Sequence, residues 1–167
     1  MENIVTNRLY LVPFSLERVE AAIIGTDKLA DILGVKIAPD WPDEQLRENL
    51  PGIADILRNY PLQNEWGWGF LVIHKAENIL IGHIMLKIPF DMSSEIGYQI
   101  VPSYQRQGYA SEATTAVIDW AFCQPNVQTI TAGCDADNIA SRRVLEKIGM
   151  QHIETRNKGL IWKLNKS

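Results

Sequence analysis

The stretch EIGYQIVPSYQRQGYASE, residues 95–112, decides how this chain is read. Glu95 to Val101 alternates in polarity as a half-buried strand does. A short loop follows and ends in Gln105-Arg106-Gln107-Gly108-Tyr109-Ala110, where a helix rich in small residues opens. A strand feeding a loop that opens a helix makes an anion cradle. The first N–H groups of a helix have no intrahelical partner, and the helix dipole favours negative charge there. Gly108 and Ala110 let the backbone come close to a diphosphate, so a phosphorylated ligand is expected on this turn.

The spacing narrows the ligand. No Gly-Lys-Ser/Thr follows, so this is not a P-loop, and a single glycine does not make a GxGxxG fingerprint. Gln105-x-x-Gly108-x-Ala110 instead resembles the segment with which the Gcn5-related N-acetyltransferases hold the pyrophosphate of acetyl-CoA. Asn138 to Gly149, NIASRRVLEKIG, resembles that family's second CoA-contacting segment. Thr6 to Leu11, TNRLYL, is similar to the opening strand of the branch that acetylates ribosomal protein N-termini. The three matches run in the family's order along nearly the whole chain.

Length and composition agree with one domain over residues 1–167. The chain is 46% hydrophobic and 22% charged, an ordinary globular balance that can bury a core without staples. A net charge of −4 argues against nucleic-acid binding, which wants a basic face. It also leaves a polyanionic ligand to be held by local groups. Cys123 and Cys134 read as free thiols of a reducing compartment. The N-terminus has no basic region followed by an apolar stretch, and no run approaches the ~20 apolar residues of a membrane span. A cytoplasmic protein, monomer or homodimer, without a membrane partner is expected.

The remaining elements follow from periodicity and punctuation. Asn7 to Pro13 reads as a strand. Ser15 caps a helix with Leu16, Val19, Ala22 and Ile23 on one face. Asp40 is expected to cap a second helix carrying Leu46 and Leu50, with Pro42 in its first turn. Pro51-Gly52 is expected to break it before a third piece with Ile53, Ile56 and Leu57. Trp66 to His74 and Ile79 to Lys87 read as a hairpin, and Pro89 to Ser94 as a loop. The helix from Tyr109 to Phe122 is stopped by Gln124-Pro125-Asn126. Val127 to Cys134 is a strand. Asn138 caps a helix with Val144, Leu145 and Ile148 inward and Gly149 as its stop. Gln151 to Thr155 and Leu160 to Leu164 close the chain as a hairpin. This order is a mixed α/β (α+β) layered fold. The resemblance makes it a central, mostly antiparallel twisted sheet of about seven strands flanked by helices, the acyl-CoA N-acyltransferase fold.

Acetyl transfer to an amine needs four things: a held cosubstrate, a stabilised thioester oxygen, a neutral amine and a protonated leaving thiolate. Gln105, Arg106, Gln107, Gly108, Tyr109, Ala110 and Ser111 form the cradle. By resemblance, Asn138 bonds the pantetheine arm, a role compatible with plain helix capping. Arg142, Arg143 and Lys147 either add phosphate contacts or form a solvated helix face. The resemblance places the oxyanion donor among backbone N–H groups near Ile100 and Val101, at a bulge where the fourth strand leaves the fifth. Pro102 has no N–H, which suits such a splay.

Magnitudes bear on the amine. A lysine-type amine, of pKa about 10.4, costs about 4.6 kcal/mol to neutralise at pH 7, and an α-amine near 7.8 costs about 1.1 kcal/mol. An α-amine therefore needs only a modest base acting through water. Glu95, which resembles the family's strand-four glutamate, is the candidate, its alternative being a solvated strand-end carboxylate. Glu112, in the first helical turn, reads as structural. Many relatives place a tyrosine seven residues after the asparagine as the acid. Here that position is Leu145, so the resemblance passes the role to Ser141, which otherwise only contacts CoA.

His74 and His83 share a hairpin without facing each other, and no third ligand has metal spacing, so no metal is expected. Trp41, Trp66 and Trp68 are core or acceptor-pocket wall. The acceptor is a protein N-terminal α-amine or a small-molecule amine. The competing reading is a non-catalytic CoA-binding sensor or scaffold of the same fold, which the missing tyrosine keeps open.

Overall fold

Nine strands among the described residues hydrogen-bond into one sheet. The computed structural model describes residues 3–60, 67–87, 93–125 and 127–167. In chain order the strands are β1 (Ile4–Val5), β2 (Leu9–Pro13), β3 (Lys36–Ile37), β4 (Gly69–His74), β5 (Ile79–Lys87), β6 (Ser93–Ile100), β7 (Thr129–Asp135), β8 (Gln151–Arg156) and β9 (Gly159–Asn165). The helices are α1 (Leu16–Ile24), α2 (Thr26–Leu33), α3 (Glu44–Asn59), α4 (Tyr109–Phe122) and α5 (Ile139–Lys147). The sheet runs β1-β2-β4-β5-β6-β7-β9-β8, with β3 beside β5. Seven strands have five or more residues, as expected. The two extras, β1 and β3, are two-residue pairings too short to show periodicity.

Pairing is antiparallel except for β3 with β5 and β6 with β7. Among the described residues, β6 pairs with β7 at Ser93–Thr129, Ser94–Ile130 and Glu95–Thr131, and the two strands then part. The expected splay is present. The bulge is not: β5 and β6 stay in unbroken register from Gly82–Ile100 to Lys87–Glu95.

Cross-strand partners share a face, which sorts the layers. Phe70 meets Trp120 of α4 edge-on at 5.2 Å and sits opposite Ile84, itself opposite Tyr98. Tyr98 is therefore on the α4 face. His83, opposite Leu71 and Gln99, takes a hydrogen bond from Trp41 Nε1 at 3.1 Å on the other face, where α3 begins. With both faces covered, Gly69 to Ile73 of β4 is buried throughout.

The α3 region departs from expectation. Asp43, not Asp40, caps it, its Oδ1 accepting from the Leu46 N–H at 2.8 Å. The helix then continues through Pro51 and Gly52. Proline there forfeits one helical hydrogen bond, yet Leu46, Leu50, Ile53, Ala54 and Leu57 form one continuous buried face. Tertiary packing of that face, partly on α1, outweighs the local break. Between Gly25 and Pro39, where the sequence shows no clear periodicity, lie α2 and β3. Val101 lies just past β6, and Trp68 precedes β4. Trp66, most of the Pro89–Ser94 loop and Asn126 lie outside the described residues; Ser94 itself is in β6.

Candidate active site

Gly108 caps α4 with φ 84°, a left-handed conformation that glycine adopts without strain. A Cβ there would meet Arg8 Nη2 at 3.3 Å. Arg8 fixes the turn from behind. Its Nη1 donates to the Gln107 carbonyl at 2.9 Å, its Nε to Glu112 Oε1 at 2.8 Å, and its guanidinium lies 4.2 Å from the centre of the Tyr109 ring. Glu112 also accepts from the Arg8 N–H and the Thr6 hydroxyl. Burial alone would raise its pKa, but these bonds and the Arg8 charge hold it below its usual value. The structural reading of Glu112 fits this clamp.

In front of the turn lies a cavity of about 920 Å³. Gln105, Arg106, Gly108, Tyr109, Ala110 and Ser111 border it on one side and Asn138, Ser141, Arg143 and Lys147 on the other. Gln107 stays on the turn's outer side, exposed. The Gln105 side chain closes its own loop, donating to the Ile100 carbonyl at 2.7 Å. Tyr109 turns inward, its hydroxyl 2.9 Å from His74 Nε2, so only its backbone serves the cradle. Asn138 caps α5 by accepting from the Ser141 N–H at 3.0 Å. Arg142 points away to the Ala136 carbonyl at 3.3 Å, which leaves Arg143 and Lys147 as the α5 cations at this cavity.

The oxyanion candidates separate by alternation. The Val101 N–H donates to the Ile81 carbonyl at 2.9 Å and is spent on β5. In an antiparallel pair, main-chain groups alternate sides, so those of Ile100 and Tyr98 face the gap left by β7. Gln105 finds the Ile100 carbonyl on that side. Of the two N–H groups, that of Ile100 faces the gap and that of Val101 does not.

A second cavity, of about 420 Å³, opens on the other face. Asp43, Asn49, Trp68, His83, Met85 and Lys87 are among its walls. Tyr98 and Gln99 line both cavities. Glu95 is exposed, on the face of Gly97 and Gln99 and opposite Lys87, one step beyond the cavity wall. Burial lowers the His83 pKa to about 4, against the pull of Asp43, so the ring is neutral at pH 7. Since Nδ1 accepts from Trp41, the neutral ring carries its proton on Nε2. No group of three or more metal-ligating side chains occurs among the described residues.

Ser141 Oγ lies 2.7 Å from the Tyr98 hydroxyl, which also reaches the Ser141 carbonyl at 3.1 Å. Leu145 is fully buried and has no proton to give. Sequence reading passed over Tyr98, which sits between Ile96 and Ile100 on a face that reads as core. It also weighed His83 only as a metal ligand. The alternation of β6 held the signal, but only the splay from β7 gives it meaning.

The family model described as acetyltransferase (GNAT) domain matches residues 8–151. An uncharacterized N-acetyltransferase of Bacillus subtilis, YjdG, is 33% identical over 149 residues, 86% of each chain. Another from the same organism, YnaD, is 45% identical over 83 residues, so the match spans about half of that relative's length. Among solved structures, a GNAT-family acetyltransferase of Bacillus anthracis superposes with a TM-score of 0.66 at 27% identity, covering 98% of both chains. A RimL ribosomal L7/L12 α-N-protein acetyltransferase in complex with coenzyme A shares the fold, with a TM-score of 0.67 at 20% identity over 98% of each chain. This chain belongs to the GNAT family of acetyl-CoA-dependent N-acetyltransferases.

Proposed function

We propose that the protein transfers the acetyl group of acetyl-CoA to a primary α-amine by direct attack in a ternary complex. The observation that carries this reading is that two cavities, one on each face of the sheet, share Tyr98 and Gln99 as wall. The larger suits acetyl-CoA: a glycine-capped helix start and three cations, Arg106, Arg143 and Lys147, face space for a pyrophosphate. Bound there, acetyl-CoA supplies the activated acetyl group. The Ile100 N–H is the oxyanion donor of this reading, and Asn138 and Ser141 flank the thioester arm.

Glu95 lies on the amine side of the sheet and Ser141 on the thioester side, so proton removal and proton delivery occur on opposite faces. His83 has no free lone pair, its Nδ1 being taken by Trp41 and its Nε2 carrying the proton, which leaves Glu95, through water, to take the proton. An α-amine, whose neutralisation costs about 1.1 kcal/mol at pH 7, needs only modest help. The α-amine is that of a protein N-terminus, the acceptor named for the RimL protein, or of a small molecule. The modest volume and single carboxylate of the smaller cavity favour the small molecule.

The test is the thermal midpoint with and without saturating acetyl-CoA. At 100 times its dissociation constant a ligand adds about 2.7 kcal/mol, a rise of roughly 5–10 °C for a domain this size. The rise is expected in wild type and not in Gly108→Glu. Thiol release is then compared across peptides and small amines, where Glu95→Gln is expected to lower turnover at least tenfold. No rise in folded wild type would overturn the cosubstrate assignment. Normal turnover by Glu95→Gln would overturn the base.

A further inference from the structure

Ser141 alone is a poor acid for this reaction. A thiol of pKa about 8.5 accepting a proton from an aliphatic hydroxyl, taken as water-like at about 15.7, faces an equilibrium roughly seven powers of ten uphill. A phenol near 10 faces only about one and a half. Three phenols border the larger cavity: Tyr98, Tyr104 and Tyr109. Tyr104 donates its hydroxyl to Glu77, and the Tyr109 hydroxyl pairs with His74. Tyr98 alone of the three reaches Ser141, at 2.7 Å, and it alone lines both cavities.

We propose that Tyr98 is the proton source for the leaving thiolate and acts through Ser141, a positioning and proton-supplying residue in place of the tyrosine that Leu145 replaces. This rests on the acetyl-transfer reading. The amine nitrogen bonds to the carbonyl carbon and gives one proton to Glu95 through water. The carbon–sulfur bond breaks, and its electron pair stays on sulfur. Ser141 passes its hydroxyl proton to sulfur while the Tyr98 hydroxyl replaces it; Glu95 then releases its proton to solvent, and solvent returns one to the phenolate. The products are amide and free thiol, with no net change in protons on the protein. The hydrogen bonding suits the transfer, because the Tyr98 hydroxyl can turn between the Ser141 carbonyl and Oγ. Burial raises the Tyr98 pKa above its usual value, although the Ser141 bond acts the other way, so the phenol stays protonated at neutral pH.

The experiment measures thiol release from acetyl-CoA with the fastest amine among alanyl and seryl peptides, glycinamide and spermidine. Tyr98→Phe is expected to lower kcat about 10²-fold, within the span of general acid catalysis. Its KM for acetyl-CoA and the acetyl-CoA-induced rise in Tm should stay within about twofold of wild type on that reading. Ser141→Ala should fall as far, and the double variant no further than the slower single one. A Tyr98→Phe kcat near wild type overturns the proposal. So does a parallel loss of acetyl-CoA binding and kcat, which would mark Tyr98 as cavity wall. If Tyr98→Phe does not fold, Ser141→Ala reads the same link, and its normal kcat overturns the relay. Wild type inactive with every amine would sink the acetyl-transfer reading itself, whereas active wild type with unaffected variants sinks only the relay.

Discussion

At the residue scale, His83 shows how one side chain ties stability to the site. It is half-buried in the wall of the smaller cavity and bonded to Trp41. Its pKa falls from 6.5 to about 4 because burial disfavours the imidazolium, with Asp43 opposing. The unfolded chain binds this proton more readily, so stability rises with pH in that window. His83 therefore contributes its full share above about pH 6.5 and loses it as pH drops towards 4. At about 1.36 kcal/mol per pKa unit, the loss is of order 3 kcal/mol. Urea midpoints at pH 7.5 and 4.5 should show His83→Gln losing less than wild type over that interval. An equal loss in both would mean the imidazole is not the group titrating. Neither the hydrogen bond nor the burial was legible beforehand, because Trp41 and His83 are far apart in sequence and meet only through packing of the α3 start on β5.

At the scale of elements, some local punctuation was legible, although the cap at Asp43 was misplaced to Asp40, and tertiary compensation was not. The cap by Asn138 and the stop at Gly149, with φ 94°, are decided within a few residues. The run through Pro51 depends on a face packed elsewhere. The Thr6–Arg8–Glu112 clamp is another long-range feature, and sequence reading reached only its helix-dipole half. It ties the turn before β2 to the first turn of α4, across 104 residues for the Arg8 pair. A hydrogen bond to a charged group contributes about 1.5–3 kcal/mol, and partial exposure of Arg8, at 38%, lowers the ion-pair share. Glu112→Ala should cost about 2–3 kcal/mol in urea unfolding. Because the carboxylate titrates below its usual range, that contribution is present at neutral pH and fades as pH drops through the lowered value. Since Arg8 also holds the Gln107 carbonyl, the same variant should weaken acetyl-CoA binding. Full stability in Glu112→Ala would show that the clamp is ornamental.

At the scale of the whole molecule, the sheet is two bodies of strands sharing a narrow seam. β1 to β6 form one and β7 to β9 the other, joined by three residue pairs at one end. The resemblance implied the splay of the fourth strand from the fifth, but the length of the seam is set by where β6 and β7 diverge. Beyond Glu95, the main-chain groups of Tyr98 and Ile100 face the gap, while those of Gln99 and Val101 face β5. Amide hydrogen exchange reads this alternation directly. Without ligand, Gln99 and Val101 should exchange slowly and Tyr98 and Ile100 fast. Saturating acetyl-CoA should slow Tyr98 and Ile100 well beyond any slowing of their neighbours, because an arm lying in the gap takes up their N–H groups. Equal slowing along β6 would report only the general stabilisation that any bound ligand brings, and the cosubstrate would then lie outside the seam. Slow exchange at Tyr98 and Ile100 before ligand is added would mean that the gap is closed by the protein itself, removing the Ile100 N–H as an oxyanion donor.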